Sequence, residues 1–477
     1  MPQEAAGRIP EEMLQRQREF AALLCEVLAG RFGREPRAFV RTFGCQGNEA
    51  DSERICGILE SCGFVPAQSP EDADFILYNT CAVREHAEDR ALGNIGRLKQ
   101  LRQTRRGVRI GLCGCMVQQP HVAARLRESY PFIDLVFGTH AVHLLPELLY
   151  RLYDRQNDGG DGRVFEVAQS PGAIAEGLPV RRGGGAKAWL PVMYGCDNFC
   201  SYCVVPLVRG RERSRQPERI LEEAREIIAS GGKEITLLGQ NVNSYHAQSE
   251  SGEAWDFPRL LRALDALPGD YWLRFMTSHP KDCSPALLEA MAAGKHIARH
   301  LHLPLQSGND RVLREMNRGY TAAQYLAVAE KAREFMPGLS MTSDVIVGFP
   351  GETEAEFDDT LRLVEQVGYT SLFTFIFSPR EGTRAARMDD PTPHAEKARR
   401  FQALTALQEG IAARRSAELE GQTLRLLCEG KGKRLALAGR SEGNKVVEFN
   451  GSESLTGQFV EVRITRAQNW LLDGEIL

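Results

Sequence analysis

From residue 37 onward, short apolar runs alternate with helix-patterned stretches, and this alternation restricts the chain to parallel sheets covered by helices. The first runs cover residues 38–43, 74–79, 108–112 and 133–137. In such sheets ligands gather outside the carboxyl ends of the strands. Cys45 comes two residues after the first run, Cys81 follows the second and Cys115 follows the third. Free cysteines are often small core hydrophobes, but core thiols fall inside strands or on helix faces. These three occupy equivalent loop sites, so they read as one metal-binding trio assembled from distant pieces. Cys113 is the rival of Cys115, yet it sits at the strand's end and no glycine directly precedes it. Cys25, Cys56, Cys62, Cys283 and Cys428 are scattered and read as core or surface thiols.

A glycine-rich connector, residues 154–188, separates this series from a longer one, with runs at 189–194, 234–239, 272–277, 300–305, 341–348 and 371–378. Six strand–helix units are too few for a closed eightfold barrel, so an open six-stranded partial barrel is predicted, its chemistry at the carboxyl ends of the strands. The first of those ends carries Gly195-Cys196-Asp197-Asn198-Phe199-Cys200-Ser201-Tyr202-Cys203. Three thiolates in one loop repel one another unless a cation neutralises them, and the usual cations are zinc or an iron–sulfur cluster. Structural zinc takes four protein ligands, and no fourth Cys or His lies nearby in sequence. A [4Fe–4S] cluster on three cysteines leaves one iron open. The same mouth receives Gly239, Gln240 and Asn241, then Ser278 and His279, then Gln306, Ser307 and Gly308. Residues 348–353 and Ser378-Pro379-Arg380-Glu381 follow the last two strands. Gly239, Gln240, Ser278, Gln306 and Arg380 are the candidates for holding a cofactor and substrate there. The charge-dense run from Arg209 to Arg215 directly follows the cysteine loop and is expected to contact RNA phosphate or a cofactor carboxylate.

The last 60 or so residues break into short strands at 424–427, 435–438, 445–449 and 459–464, which suggests a small antiparallel barrel used for binding. Lys431, Lys433, Arg434, Arg440 and Lys445 are its candidate phosphate contacts. A helix over about 393–419 precedes it, and an amphipathic helix over 11–28 opens the chain. The whole carries a net charge of −4, so any RNA contact must come from local patches. No run approaches membrane-spanning length, and residues 1–36 carry too many charges for a secretory signal. Twelve cysteines in a chain without such a signal point to a reducing cytosol and to ligand thiols.

With both trios in place, the order of parts resembles the methylthiotransferase family of radical S-adenosylmethionine (SAM) enzymes, over residues 37–477. The resemblance implies an α/β chain with an amino-terminal helical extension (1–36) and an auxiliary-cluster domain (37–153). A Gly-rich linker (154–181), a radical-SAM core built as an open (βα)6 partial barrel (182–413) and a TRAM β-barrel (414–477) would follow. It implies two [4Fe–4S] clusters, the auxiliary one on Cys45, Cys81 and Cys115 and the radical-SAM one on Cys196, Cys200 and Cys203, with SAM as cofactor. Residues 42–46, 48–53, 79–85, 239–245 and 277–282 resemble the bacterial tRNA-modifying subgroup. That subgroup usually has Met where this chain has Gly47. The implied reaction is addition of a methylthio group to carbon 2 of N6-dimethylallyladenosine at tRNA position 37. The hydrogen on that carbon is beyond any side-chain base, which is why a radical route is required. The implied partners are the tRNA anticodon loop, an electron donor and a sulfur source, for a monomeric cytoplasmic enzyme. The alternatives are methylthiolation of threonylcarbamoyl-adenosine tRNA or of a ribosomal-protein aspartate and, in a different class, a zinc-stabilised RNA-binding module.

Overall fold

A computed structural model of the chain describes residues 7–82, 85–105, 107–154, 162–167 and 172–477, with the side chains of 85–90 left aside. Val83, Arg84 and Asp158 to Asp161, which belong to stretches singled out above, lie outside the described residues. The chain divides into two compact units: Met1–Gly183 with Tyr194–Asp197 and Cys203–Arg215, and Gly184–Met193 with Asn198–Tyr202 and Gln216–Leu477.

The first unit is built on six parallel strands, β1 (Arg37–Phe43), β2 (Val65–Pro66), β3 (Phe75–Thr80), β4 (Arg109–Gly114), β5 (Leu135–Phe137) and β6 (Val164–Glu166), in the order 2-1-3-4-5-6. Strand β6 comes from within the stretch read as a linker, and the fourth apolar run forms a shorter strand than its pattern suggested. Helices α1 (Glu11–Phe32), α2 (Gln46–Ser61) and α5 (Leu145–Tyr153) bury Leu24, Ile55, Ile58 and Leu149 on one face. Helices α3 (Glu85–Thr104) and α4 (Pro120–Ser129) bury Ile95, Leu98, Val122 and Leu126 on the other. This is a doubly wound sheet whose direction of winding reverses between β1 and β3, the place where such sheets bind ligands. Register levels the strand ends, because Phe43 pairs with Thr80 and Thr80 with Gly114.

The second unit contains the six barrel strands in chain order: Lys187–Pro191, Glu234–Leu238, Trp272–Phe275, His300–His302, Ser340–Val347 and Ser371–Ile376. They form two parallel three-stranded sheets linked by a bridge between Leu273 and Ile297. Helices Pro217–Ala229, Phe257–Asp265, Pro285–Ala293, Ala322–Phe335, Glu354–Val367 and His394–Ala417 cover their outer face with one continuous core. The partial barrel is therefore open, as its strand count predicts.

The terminal strands Thr423–Lys431, Leu437–Ser441, Val446–Phe449, Phe459–Ala467 and Leu471–Ile476 close into a barrel. It is not wholly antiparallel. Val446–Phe449 runs parallel to the fifth strand, Leu471–Ile476, which the apolar pattern did not reveal and which completes the closure. The barrel packs beneath the amino ends of the core strands. There Arg274 joins Glu234 at 2.6 Å and donates to the carbonyls of Glu442 (2.6 Å) and Ser441 (2.7 Å). Lys445 is no phosphate contact: it is buried, and its Nζ donates to Ser416 Oγ at 3.0 Å. Arg434, although exposed, pairs with Glu448 and Asp473, and Arg440 with Glu429; Lys431 and Lys433 of the original set are also exposed.

Burial pulls the Lys445 ammonium from 10.5 down to about 8, so between those values the unfolded chain binds more protons and stability rises with pH. In Lys445→Met that rise should be absent. Denaturant midpoints measured at pH 7.5 and pH 10 check this, and an equal pH response in both proteins would contradict it.

Candidate active site and cluster-binding loops

At the carboxyl edge of the first unit's sheet, a buried polar network fixes the three strand ends. Asn48 and Asn79 are fully buried. The Asn48 amide donates to Asn79 Oδ1 (3.1 Å) and to the Thr80 carbonyl (3.2 Å), while the Asn79 amide donates to the Asn48 carbonyl (2.8 Å) and Ser52 Oγ (3.0 Å). Ser52 in turn lies 2.8 Å from Thr42 Oγ1, and Thr80 Oγ1 donates to the Cys113 carbonyl at 2.7 Å. This network explains why Thr42, Asn48, Ser52, Asn79 and Thr80 flank the cysteines. Gly114 has φ +97°, and a Cβ there would meet Asn79 Oδ1 at 2.3 Å, so only glycine carries the chain round to Cys115.

The network delivers thiols to one place. Cys45 caps α2, hydrogen-bonds to Cys81 and donates to Asn48 Oδ1 at 3.4 Å. The Cys81 contact, against the opposing effect of burial, holds the Cys45 thiol down at about 5, and Arg209 and the backbone N–H groups of Asn48 and Gly47 act in the same direction. Burial pushes the Cys115 thiol up, and Arg209 partly offsets this. Arg209 is buried and paired with Asp51 at 2.7 Å. Burial opposes its charge, but Asp51, Cys115 and Cys45 more than compensate. A Cβ at Gly47 would lie 3.6 Å from Arg209 Nη2 and 3.7 Å from Cys45 Sγ, so position 47 adjoins both groups. Cys113 points into the apolar core, as do Cys62, Cys283 and Cys428.

Residues 209–215, expected to contact RNA phosphate or a cofactor carboxylate, are in part engaged by carboxylates of the protein. Arg209 is held by Asp51, Arg211 by Asp197 at 2.8 Å, and Arg215 by Glu176 at 2.7 Å.

In the second unit, Cys200 receives Arg318 Nη1 at 3.3 Å. Arg318 is buried; its other groups donate to Tyr320 Oη (3.0 Å) and the Pro304 carbonyl (3.0 Å), and Tyr320 donates to the Leu305 carbonyl (2.7 Å). Asn317, at φ +58°, donates to the carbonyls of Asn198 (3.0 Å) and Phe199 (3.1 Å), and Ser201 N donates to the Met316 carbonyl. Asn317 and Arg318 are not among the residues expected from the sequence. They lie more than a hundred positions downstream and bear no motif.

The mouth residues fall into two kinds. Asn243 donates to the His279 carbonyl (2.9 Å) and accepts from its N–H (2.8 Å), Asn241 donates to Asp282 (2.8 Å), and Thr277 Oγ1 donates to the Gly239 carbonyl (2.7 Å). These contacts tie the second and third strand ends together. Glu352 is likewise structural, accepting from Gly348 N and paired with Arg400. Arg380 is half-buried and turns its carbonyl to Thr383.

Other polar atoms are buried with no protein partner: Ser201 Oγ, Gln240 Oε1, Asn241 Oδ1, Ser278 Oγ, His279 Nε2 and Gln306 Oε1. Burial, Arg318 and Lys281 depress His279 to about 2, so it is neutral, and Nδ1 accepts from Lys281 N. Its Nε2 therefore carries the proton and needs an acceptor. Thr277 and Gln306 also hold φ of +65° and +69°, backbone strain that clusters at ligand sites. Buried polar groups without partners are costly, and this set suits a ligand rich in donors and acceptors.

Among the described residues, no group of three or more His, Cys, Asp or Glu side chains converges on a point that one metal ion could occupy. Cys115 and Cys200 are each reached by a guanidinium, which favours their thiolates.

Comparison with known proteins agrees with this geometry. Profiles match for the Radical SAM superfamily over residues 190–364, for an uncharacterized protein family, UPF0004, over 37–138 and for the TRAM domain over 417–477. Among solved structures, the radical S-adenosylmethionine methyltransferase TsrM from Kitasatospora setae shares the fold, with a TM-score of 0.52 and 14% identity over 74% of this chain and 75% of that one. Fold and site thus define a radical-SAM enzyme, a class that uses a [4Fe–4S] cluster and SAM. The chain is 47% identical to the tRNA-2-methylthio-N(6)-dimethylallyladenosine synthase of Carboxydothermus hydrogenoformans, covering 93% of this chain and all of that one. Its identity to the corresponding synthase of Desulforamulus reducens is 46%, over 92% and 95%. It belongs to that family of radical-SAM methylthiotransferases. No helix among the described residues is long and apolar enough to cross a membrane.

Asn79→Ala should lower stability by about 1–3 kcal/mol, because it removes one buried hydrogen-bond partner each from the Asn48 amide, the Asn48 carbonyl and the Ser52 hydroxyl. A denaturant midpoint unchanged from wild type would show that the network does not hold the strand ends.

Proposed function

We propose that the protein installs a methylthio group on carbon 2 of N6-dimethylallyladenosine at position 37 of tRNA, with the clusters on the two cysteine trios. The observation that carries this is the pairing of two thiol trios at strand ends with 46–47% identity to synthases of that name across nearly the whole chain. Cys196, Cys200 and Cys203 would hold the cluster at which SAM binds, and Cys45, Cys81 and Cys115 the auxiliary one. When bound, these groups supply one-electron cleavage of SAM and an attachment point for sulfur.

The chain's own residues bind, orient and exclude water. The neutral His279 offers its Nε2 proton to an acceptor on SAM or the nucleoside, while Gln240, Asn241 and Gln306 offer acceptors and Ser201 and Ser278 hydroxyls. The Gly239 carbonyl accepts from Thr277 and its α-carbon packs against Met193; Arg380 lies at the last strand end. Position 37 lies in a single-stranded loop, so its base is presented without opening a duplex. Exposed Lys431 and Lys433, with Arg463 and Arg466 on the barrel's outer face, supply phosphate contacts for tRNA. An electron donor and a sulfur source complete the cycle of a monomeric cytoplasmic enzyme.

Nucleoside mass spectrometry of tRNA from cells lacking the gene should show the dimethylallyl nucleoside without its methylthio group, restored by wild type. Unchanged methylthio content would refute the assignment. Cys200→Ala should abolish both 5′-deoxyadenosine and product, whereas Cys81→Ala should keep deoxyadenosine formation and lose methylthiolation. Full product from either variant would remove that trio from the reaction.

A further inference from the structure

The short helix Val205–Arg209 begins two residues after Cys203 and ends with its arginine among the other trio's thiols. Val204 and Val208 pack against Ala82 and Cys115, and the Val208 carbonyl accepts from Thr139 Oγ1 at 2.6 Å. This packing aims the Arg209 guanidinium within hydrogen-bonding reach of Cys115 and beside Cys45. Its counter-ion, Asp51, lies on α2, whose first residues follow Cys45. The pair is nearly dry, with side-chain exposures of 8% and 15%. An ion pair of that kind contributes little net stability, so its placement against the thiols calls for another explanation.

We propose that Arg209 and Asp51 together set the electron affinity of the auxiliary centre, Arg209 stabilising its reduced state and Asp51 moderating that effect. This rests on the assignment of Cys45, Cys81 and Cys115 as its ligands. A reduced iron–sulfur centre gains negative charge, and hydrogen bonds and cations at its cysteine sulfurs raise its potential. A neighbouring carboxylate acts in the opposite sense. Arg209 is thus a positioning and tuning residue for the centre, attached to the segment that carries Cys203.

The test uses full-length protein in which Cys196, Cys200 and Cys203 are Ala, so that only the auxiliary centre is observed, with its midpoint potential read by redox titration followed by electron paramagnetic resonance. Arg209→Gln should lower the potential by about 59 mV or more, a tenfold change in the reduced-to-oxidised ratio of a one-electron couple. Arg209→Lys keeps the charge without the planar fork and should give a smaller fall. Asp51→Asn should raise the potential. If Arg209→Gln binds no iron, the opposite shifts of Arg209→Lys and Asp51→Asn decide the case. Potentials that stay put, or that move in the same direction in both variants, overturn the inference while leaving the ligand assignment intact. An iron-free parent overturns both.

Discussion

The alignment of three parallel strand ends is the constraint on which the placement of Cys45, Cys81 and Cys115 rests. Pairing of Phe43 with Thr80 and of Thr80 with Gly114 makes the sheet's carboxyl edge level, so residues separated by tens of positions in sequence emerge side by side. A one-residue slip would turn every side chain to the opposite face. Against such a slip, Asn48 and Asn79 join α2 to β3 through their amides and carbonyls, and Ser52 joins α2 to Thr42 of β1. Removing either takes a buried hydrogen-bond partner from the other.

The two thiol sites handle charge differently. In the first unit Arg209 arrives with a carboxylate, Asp51, and the local charge of the pair is balanced before any thiolate is counted. In the second unit Arg318 reaches Cys200 while its remaining donors go to a carbonyl and a phenol. A buried guanidinium bonded only to neutral oxygens presents nearly its full charge to the sulfur. The same residue type therefore imposes different fields on the two sets of thiols.

Much of this was legible beforehand. The regular spacing of apolar runs announces the parallel sheet and the open barrel, and Cys45, Cys81 and Cys115 lie just past the ends of the first unit's strands, as their spacing predicts. The terminal barrel's fifth strand escaped notice because Leu471 to Ile476 alternates around Asp473 and Gly474 and reads as a turn. Arg318 and Asn317 were invisible for another reason: their role depends on tertiary proximity to a loop far upstream, and neither spacing nor composition encodes it. Lys445 misled in the opposite way. Charge density in a sequence reports composition, whereas burial and nearby carboxylates decide whether a cation is free to meet phosphate.

The most direct measurement is the iron and acid-labile sulfide content, with Mössbauer spectra, of the chain in which Cys196, Cys200 and Cys203 are all alanine. Strand ends that build a second cluster site predict about four irons and four sulfides per chain, lost on further replacement of Cys81. A protein that retains no iron, or that holds a single zinc ion instead, would contradict the account.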